Sequence, residues 1–339
     1  MKKLSFFLFI ALVIAGTLSA NAQRAEYDVI PLPKEVKVDS ANVFVLKNGM
    51  GVSFDASSEE IFRNVVFLRQ WVEETTGISL KLTPTDKKAA IRLSLDYKEA
   101  KDEAEAELTE QQKEAYRIKV DKKGISIMAR QPIGLFRAIQ TLRKSLPVMK
   151  NAEMVELSYV EIFDEPRFEY RGVLLDCGRH YFSIEFIKKF LDVMALHGSN
   201  QFHWHLTEDQ GWRIEIKKYP KLTKIGAWRD SKVCAWGDVK PDGIRYGGFY
   251  TREDIKEVVE YAKERFVEIV PEVDIPGHSQ AAVASYPEIL ACDPENRHDV
   301  WLWQGVSSDV INVANPLAVQ FAKDVIDELT ELFPFGYIH

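Results

Sequence analysis

The chain has 339 residues, of which 46% are hydrophobic and 28% charged, and a formal net charge of −7. An acidic chain repels phosphate backbones and anionic headgroups, which argues against nucleic acid or an anionic membrane as a partner. Its three cysteines, Cys177, Cys234 and Cys292, are odd in number and far apart, so they suggest neither a disulfide framework nor a metal site.

Residues 1–22 open with Lys2 and Lys3, continue through an apolar run from Leu4 to Ile14, and end in Ala20-Asn21-Ala22. That order is the pattern of a secretory signal peptide cut before Gln23, and it predicts an exported protein, periplasmic or secreted. No later apolar run is long enough to span a bilayer, so no membrane span is expected after cleavage. The remaining length suits two domains.

Residues 23–165 form the first. Val43 to Leu46 reads as a strand. Ser57 or Ser58 can cap a helix that carries Ile61, Val65, Leu68 and Val72 on one face, and Gly77 can close it. Ala90 to Leu95 alternates as a strand. Tyr116–Val120 and Ile125–Ala129 form a hairpin around Asp121 and Gly124. A second helix follows Pro132, with Ile133, Phe136, Ile139 and Leu142 facing inward. The charged stretch Lys98 to Glu114 reads as a solvated helix or loop. This is an accessory α+β domain, a small sheet covered by two helices, with nothing chemical in it.

Residues 166–339 change to strand–helix alternation. Val173–Leu175 is a strand, and Ser183 caps a helix from Ile184 to Leu196. Asn200–Leu206 is the second strand. Thr251 caps a helix to about Arg265, and Phe266–Val273 is the third strand. Asn315-Pro316 opens a helix ending near Phe333, and Tyr337–His339 starts a fourth strand. Repeated βα units predict a parallel sheet with helices outside, the first half of a (β/α)8 barrel. Functional groups of such barrels sit at the C-terminal strand ends. Asp176, Glu208, Asp209, Asp274 and His278 all lie there.

Two motifs carry the chemistry. The first runs from Arg171-Gly172 through Asp176 and Arg179-His180 to His203-Trp204-His205 and Glu208-Asp209-Gln210-Gly211-Trp212-Arg213. His203 and His205 alternate, so they share one face of the strand. That spacing also suits a metal ion, with Asp274 and His278 as further ligands, so a metal-dependent barrel hydrolase stays open as an alternative. The second motif is Pro271-Glu272-Val273-Asp274-Ile275-Pro276-Gly277-His278, where Pro and Gly turn the chain and place His278 over the strand ends. A histidine beside a carboxylate tunes a general acid.

These motifs, in this order, resemble glycoside hydrolase family 20, the β-N-acetylhexosaminidases. The resemblance implies removal of terminal β-linked N-acetylglucosamine or N-acetylgalactosamine from glycans and glycoconjugates. The implied mechanism is substrate-assisted retaining catalysis without cofactor or metal. It implies sugar contact by Arg171 and His205, and a supporting network of His278, Glu208, Asp209 and Asp274. Asp176 and Arg179 are read as structural partners at the barrel mouth. In the family the catalytic Asp-Glu pair follows a strand reading Tyr-Ile-His-Ile-Gly-Gly-Asp-Glu, whereas this sequence stops at Tyr337-Ile338-His339. The expectation is therefore a truncated chain, inactive alone. A non-catalytic glycan-binding remnant is the second alternative.

Overall fold

The computed structural model describes residues 23–95 and 108–339, so the signal-peptide reading of residues 1–22 lies outside the described residues. The described residues divide into two compact units, those up to 169 with 196–198, and 170–195 with 199–339.

The first unit runs β1 (Glu35–Lys47), β2 (Gly51–Ser53), α1 (Glu59–Thr76), β3 (Lys81–Leu82), β4 (Ile91–Ser94), α2 (Glu110–Glu114), β5 (Tyr116–Asp121), β6 (Gly124–Ala129), α3 (Pro132–Ser145) and β7 (Met154–Asp164). Its seven strands lie in the order β1-β7-β5-β6-β4-β2-β3. Pairing is antiparallel from β1 to β6 and parallel from β6 to β3. The α1 helix buries Ile61, Val65, Leu68 and Val72, and α3 buries Leu135, Phe136, Ile139 and Leu142. Trp71 of α1 meets Phe136 of α3 edge-on at 5.8 Å, which ties the two helices together.

Local signals set the ends of α1. Ser58 Oγ accepts from the Ile61 N–H at 3.3 Å. Gly77 closes the helix at φ 80°, the left-handed region that favours glycine. A Cβ at Gly77 would also meet the Lys150 carbonyl oxygen at 2.5 Å. A Gly77→Ala substitution is therefore expected to cost at least about 1–2 kcal/mol, read from the urea midpoint of this unit. An unchanged midpoint would contradict this account of the cap.

Two expectations change here. The first strand extends well beyond Val43–Leu46 because a bulge between Asp39 and Val43 interrupts its alternation. Asp39 holds that bulge by accepting from Ala41 N at 3.0 Å and Asn42 Nδ2 at 2.8 Å. Of the stretch read as a solvated helix or loop, residues 98–107 lie outside the described residues, and the rest ends in a short helix whose last residue alone is buried. Glu114 is buried and pairs with Arg137 at 2.7 Å.

The second unit runs β8 (Gly172–Asp176), α4 (Ile184–Leu196), β9 (Gln201–His205), β10 (Thr207–Glu208), β11 (Gly211–Trp212), β12 (Trp228–Arg229), β13 (Tyr246–Gly247), α5 (Arg252–Lys263), β14 (Glu268–Glu272), α6 (Gln280–Ser285), α7 (Pro287–Leu290) and α8 (Pro316–Leu332). The strands β14, β9 and β8 form a parallel sheet in that order. Phe202, Trp204 and Ile269 are fully buried and join one core with Ile187, Leu191 and Phe321 from the helices. The α5 helix starts at Thr251, whose hydroxyl and the Asp254 carboxylate cap each other's backbone N–H.

The third strand starts later than the sequence suggests. Phe266 takes φ 54° and turns the chain between α5 and β14. Tyr337–His339 does not form a regular strand, but it begins to pair with β14. His339 N donates to Pro271 O at 2.9 Å, and Val273 N donates to His339 O at 3.1 Å. Among the described residues no helix is long and apolar enough to cross a membrane.

Candidate active site

Parallel register brings Asp176, His205 and Glu272 side by side, each the last residue of its strand. Period-two alternation sends Phe202 and Trp204 into the core, and leaves His203 and His205 on the other face. Both imidazoles close on one carboxylate oxygen. Glu272 Oε2 lies 2.5 Å from His203 Nε2 and 2.7 Å from His205 Nδ1. These are close imidazole–carboxylate contacts rather than in-line hydrogen bonds, since His203 Nε2, His205 Nε2 and Glu272 Oε2 have no aligned partner. His205 Nε2 faces Glu208 Oε1 at 3.3 Å and Asp176 Oδ1 at 4.0 Å.

Two turns complete the cluster. The turn after β8 places Arg179 so that Nη1 binds Asp176 Oδ2 at 2.7 Å and Nη2 meets Glu208 Oε1 at 2.6 Å. The Pro276-Gly277-His278 turn holds His278 at φ 52°, a left-handed conformation rare for a residue with a side chain. Ser279 Oγ fixes this turn by donating to the Asp274 and Gly277 carbonyls at 2.8 Å. His278 Nδ1 then meets Glu208 Oε2 at 2.9 Å. Glu208, 2% exposed, thus sits between Arg179, His205 and His278.

Electrostatics follow from this packing. Burial alone would lower the His205 pKa, but Glu208, Glu272 and Asp176 outweigh it and push it up to about 9. His205 is therefore an imidazolium at neutral pH. Burial opposes ionisation of Glu208 as well, yet His205 and Arg179 hold its pKa below the usual carboxylate value. Burial raises Asp274, with Glu272 beside it adding to the effect, whereas His205 keeps Glu272 low against its own burial. The folded state thus binds the His205 proton more tightly than the unfolded chain does. Its stabilisation is complete below about pH 6.5 and is lost as pH rises through about 9. NMR titration of the His205 ring is expected to show this high midpoint. A midpoint at or below that of a free histidine would refute it.

The structure places the remaining residues of the sequence reading as follows. Arg171 stands at the N-terminal end of β8, where its N–H donates to Asn200 Oδ1 at 2.9 Å. That is roughly 16 Å along the strand from Asp176, at about 3.3 Å per residue. His205 is 6% exposed and enclosed by carboxylates. Asp209 is fully buried and turned away from His278. It accepts from Gln280 N at 3.0 Å and Ser307 N at 2.8 Å, and so clamps loops rather than joining the network. Asp274 stays near the cluster, and its N–H donates to Thr207 Oγ1 at 3.0 Å.

Glu272 and Arg179 carry more of the cluster than their sequence reading assigned. The signal was present: Arg179 follows the C-terminal end of its strand whereas Arg171 precedes the strand, and Glu272 ends a strand in line with His205. By distance, His203-Glu272-His339, His205-Glu272-Asp274 and Glu208-Asp274-His278 could each surround a cation. Imidazole–carboxylate pairing already accounts for why these atoms converge.

The same residues place the chain among known proteins. Residues 168–339 match the catalytic domain of glycosyl hydrolase family 20, and residues 26–165 match that family's domain 2. The chain belongs to glycosyl hydrolase family 20. A beta-hexosaminidase of Porphyromonas gingivalis is 36% identical over all of this chain, which spans 42% of that relative. The family-20 β-N-acetylhexosaminidase of Streptomyces coelicolor superposes with TM-score 0.79 at 32% identity, over 94% of this chain and 60% of the other. A mutant Streptomyces plicatus beta-hexosaminidase, solved with its product GlcNAc, gives 0.78 at 32% identity, over 92% and 58%. The chain thus spans about two fifths to three fifths of these relatives.

Proposed function

We propose that this family-20 chain supplies one side of a glycosidase active site that releases terminal β-linked N-acetylglucosamine or N-acetylgalactosamine from glycans. The observation that carries the reading is the Arg179–Glu208–His278 array at the strand ends. Glu208 is ionised and buried, while Arg179 and His278 keep part of their surface open. The Arg179 N–H groups not spent on Asp176 and Glu208 can donate to sugar hydroxyls. The array's carboxylate-held imidazole can steady the proton of an acid placed above it. Hydrolysis is proposed for a polypeptide in which these residues meet the Asp-Glu pair that the resemblance implies. The substrate's own acetamide would then act as nucleophile, with the advantage of high effective molarity. Export through the residue 1–22 segment belongs to the same proposal.

The test is hydrolysis of p-nitrophenyl β-N-acetylglucosaminide by that polypeptide, with the matching β-glucoside as control. The acetamide substrate should be cleaved and the glucoside spared. Arg179→Lys is expected to lower kcat/KM on the order of 100-fold, and Arg171→Lys far less. Equal cleavage of both substrates would refute the reading, and activity abolished by a chelator would favour the metal-dependent alternative.

A further inference from the structure

Behind the cluster lie two guanidinium groups that form no direct ion pair with a carboxylate among the described residues. Arg213 is completely buried. Its Nε donates to Cys177 O at 3.1 Å and Gly178 O at 3.2 Å. Nη1 donates to Ala227 O at 2.6 Å and Gly248 O at 3.2 Å. Nη2 donates to Gly178 O at 2.9 Å and Gln210 O at 3.4 Å. Arg229, 3% exposed, works the same way. Its Nε reaches Ser231 O at 2.7 Å, and Nη2 reaches Lys232 O at 3.2 Å. Nη1 reaches Arg179 O at 2.7 Å and Gln210 O at 3.2 Å.

A buried charge without a direct ion pair is expensive, and here carbonyl dipoles carry most of the compensation, with the Tyr246 ring 4.8 Å from the Arg229 guanidinium and Asp242 acting on it at longer range. The acceptors explain why such a group is kept. Gly178 and Arg179 belong to the turn that aims the Arg179 side chain, and Gln210 follows Glu208 and Asp209. Both guanidinium groups therefore bind both turns. An ammonium has fewer donors and no planar fork, so lysine could not span the same carbonyls. The space is reserved for the fork. A Cβ on Gly211 would fall 2.0 Å from Arg213 Nη2. Burial and the nearby Arg229 lower the Arg213 pKa to about 10, which still leaves it charged at neutral pH.

We propose that Arg213 and Arg229 are positioning residues that clamp the Gly178–Arg179 turn to Gln210, and so fix Arg179 and Glu208 against each other. Neither touches a reacting group; both act through backbone carbonyls. The proposal deepens the functional reading given above, but its test needs no turnover, so the two can fail separately.

The probe is the His205 ring in the 339-residue chain, followed by NMR through a pH titration. Glu208, Glu272, Asp176 and Asp274 and the imidazole of His203 all influence this ring. In Arg213→Ala, Glu208 should swing away, and the His205 midpoint should fall from about 9 by about one pH unit or more. Millimolar guanidinium ion should restore it by refilling the space. If Arg213 acted only as a charge, its removal would raise the midpoint. If it only stabilised the fold, the melting temperature would fall and the midpoint would stay. Either result overturns the proposal. Should Arg213→Ala fail to fold, Arg229→Lys loosens the same Arg179 and Gln210 carbonyls and should lower the midpoint, and an unchanged midpoint there overturns it too.

Discussion

Replacing Glu208 with alanine is expected to lower the unfolding free energy of the second unit by about 3–5 kcal/mol. Its carboxylate meets Arg179 at 2.6 Å, His278 at 2.9 Å and His205 at 3.3 Å, and accepts the Asp209 N–H at 3.1 Å. Truncation would leave the His205 imidazolium, which is 6% exposed, with only part of its counter-charge. The cost comes chiefly from that stranded charge and less from the lost attraction. Urea unfolding of the second unit would show it. Asp176→Ala should cost clearly less, because that side chain is 29% exposed and water can replace it. A Glu208→Ala loss below about 1 kcal/mol would mean that water already reaches the cluster.

Trp204→Ala is expected to have a comparable effect by a different route, about 3–5 kcal/mol from cavity formation. Trp204 is fully buried on the helix side of β9. Its ring lies 4.8 Å from Tyr250 and 5.7 Å from Phe202, and its indole N–H points to Cys177 Sγ at 3.3 Å. Because His203 and His205 flank it on the opposite face, slackness at Trp204 should also loosen both imidazoles. Chemical denaturation gives the first effect, and ring chemical shifts of His203 and His205 the second. Unchanged imidazole shifts in a destabilised variant would separate the core from the cluster.

Much of the fold is legible where a local rule decides it. Ser58 and Gly77 bracket α1, Thr251 with Asp254 starts α5, and Asp121 with Gly124 closes the hairpin, all through interactions within a few residues. The bulge in β1 is less legible, because Ser40, Ala41 and Asn42 break an alternation that resumes with an offset. In the site, the motif places His278 near the acids, since Pro276 and Gly277 force the turn. The partition of the acids is harder to see. Glu208 and Asp209 are neighbours with the same charge, yet one faces imidazoles and the other faces backbone N–H groups on two distant loops. Arg213 closes the first motif, but its role is not legible there, since its acceptors are backbone carbonyls, which every residue carries.

That clamp by Asp209 also bears on how the rim of the site can diversify. One carboxylate fixes Gln280 and Ser307, while Gln280 Nε2 holds Asp299 O at 2.5 Å and Asn312 N holds Leu290 O at 2.8 Å. The chain between Leu290 and Asp299 is therefore a loop with both feet anchored. Lengthening such a loop costs little, about 0.6 kcal/mol per doubling. Insertions there should leave the strand ends in place, as long as the acid that holds Gln280 and Ser307 is retained.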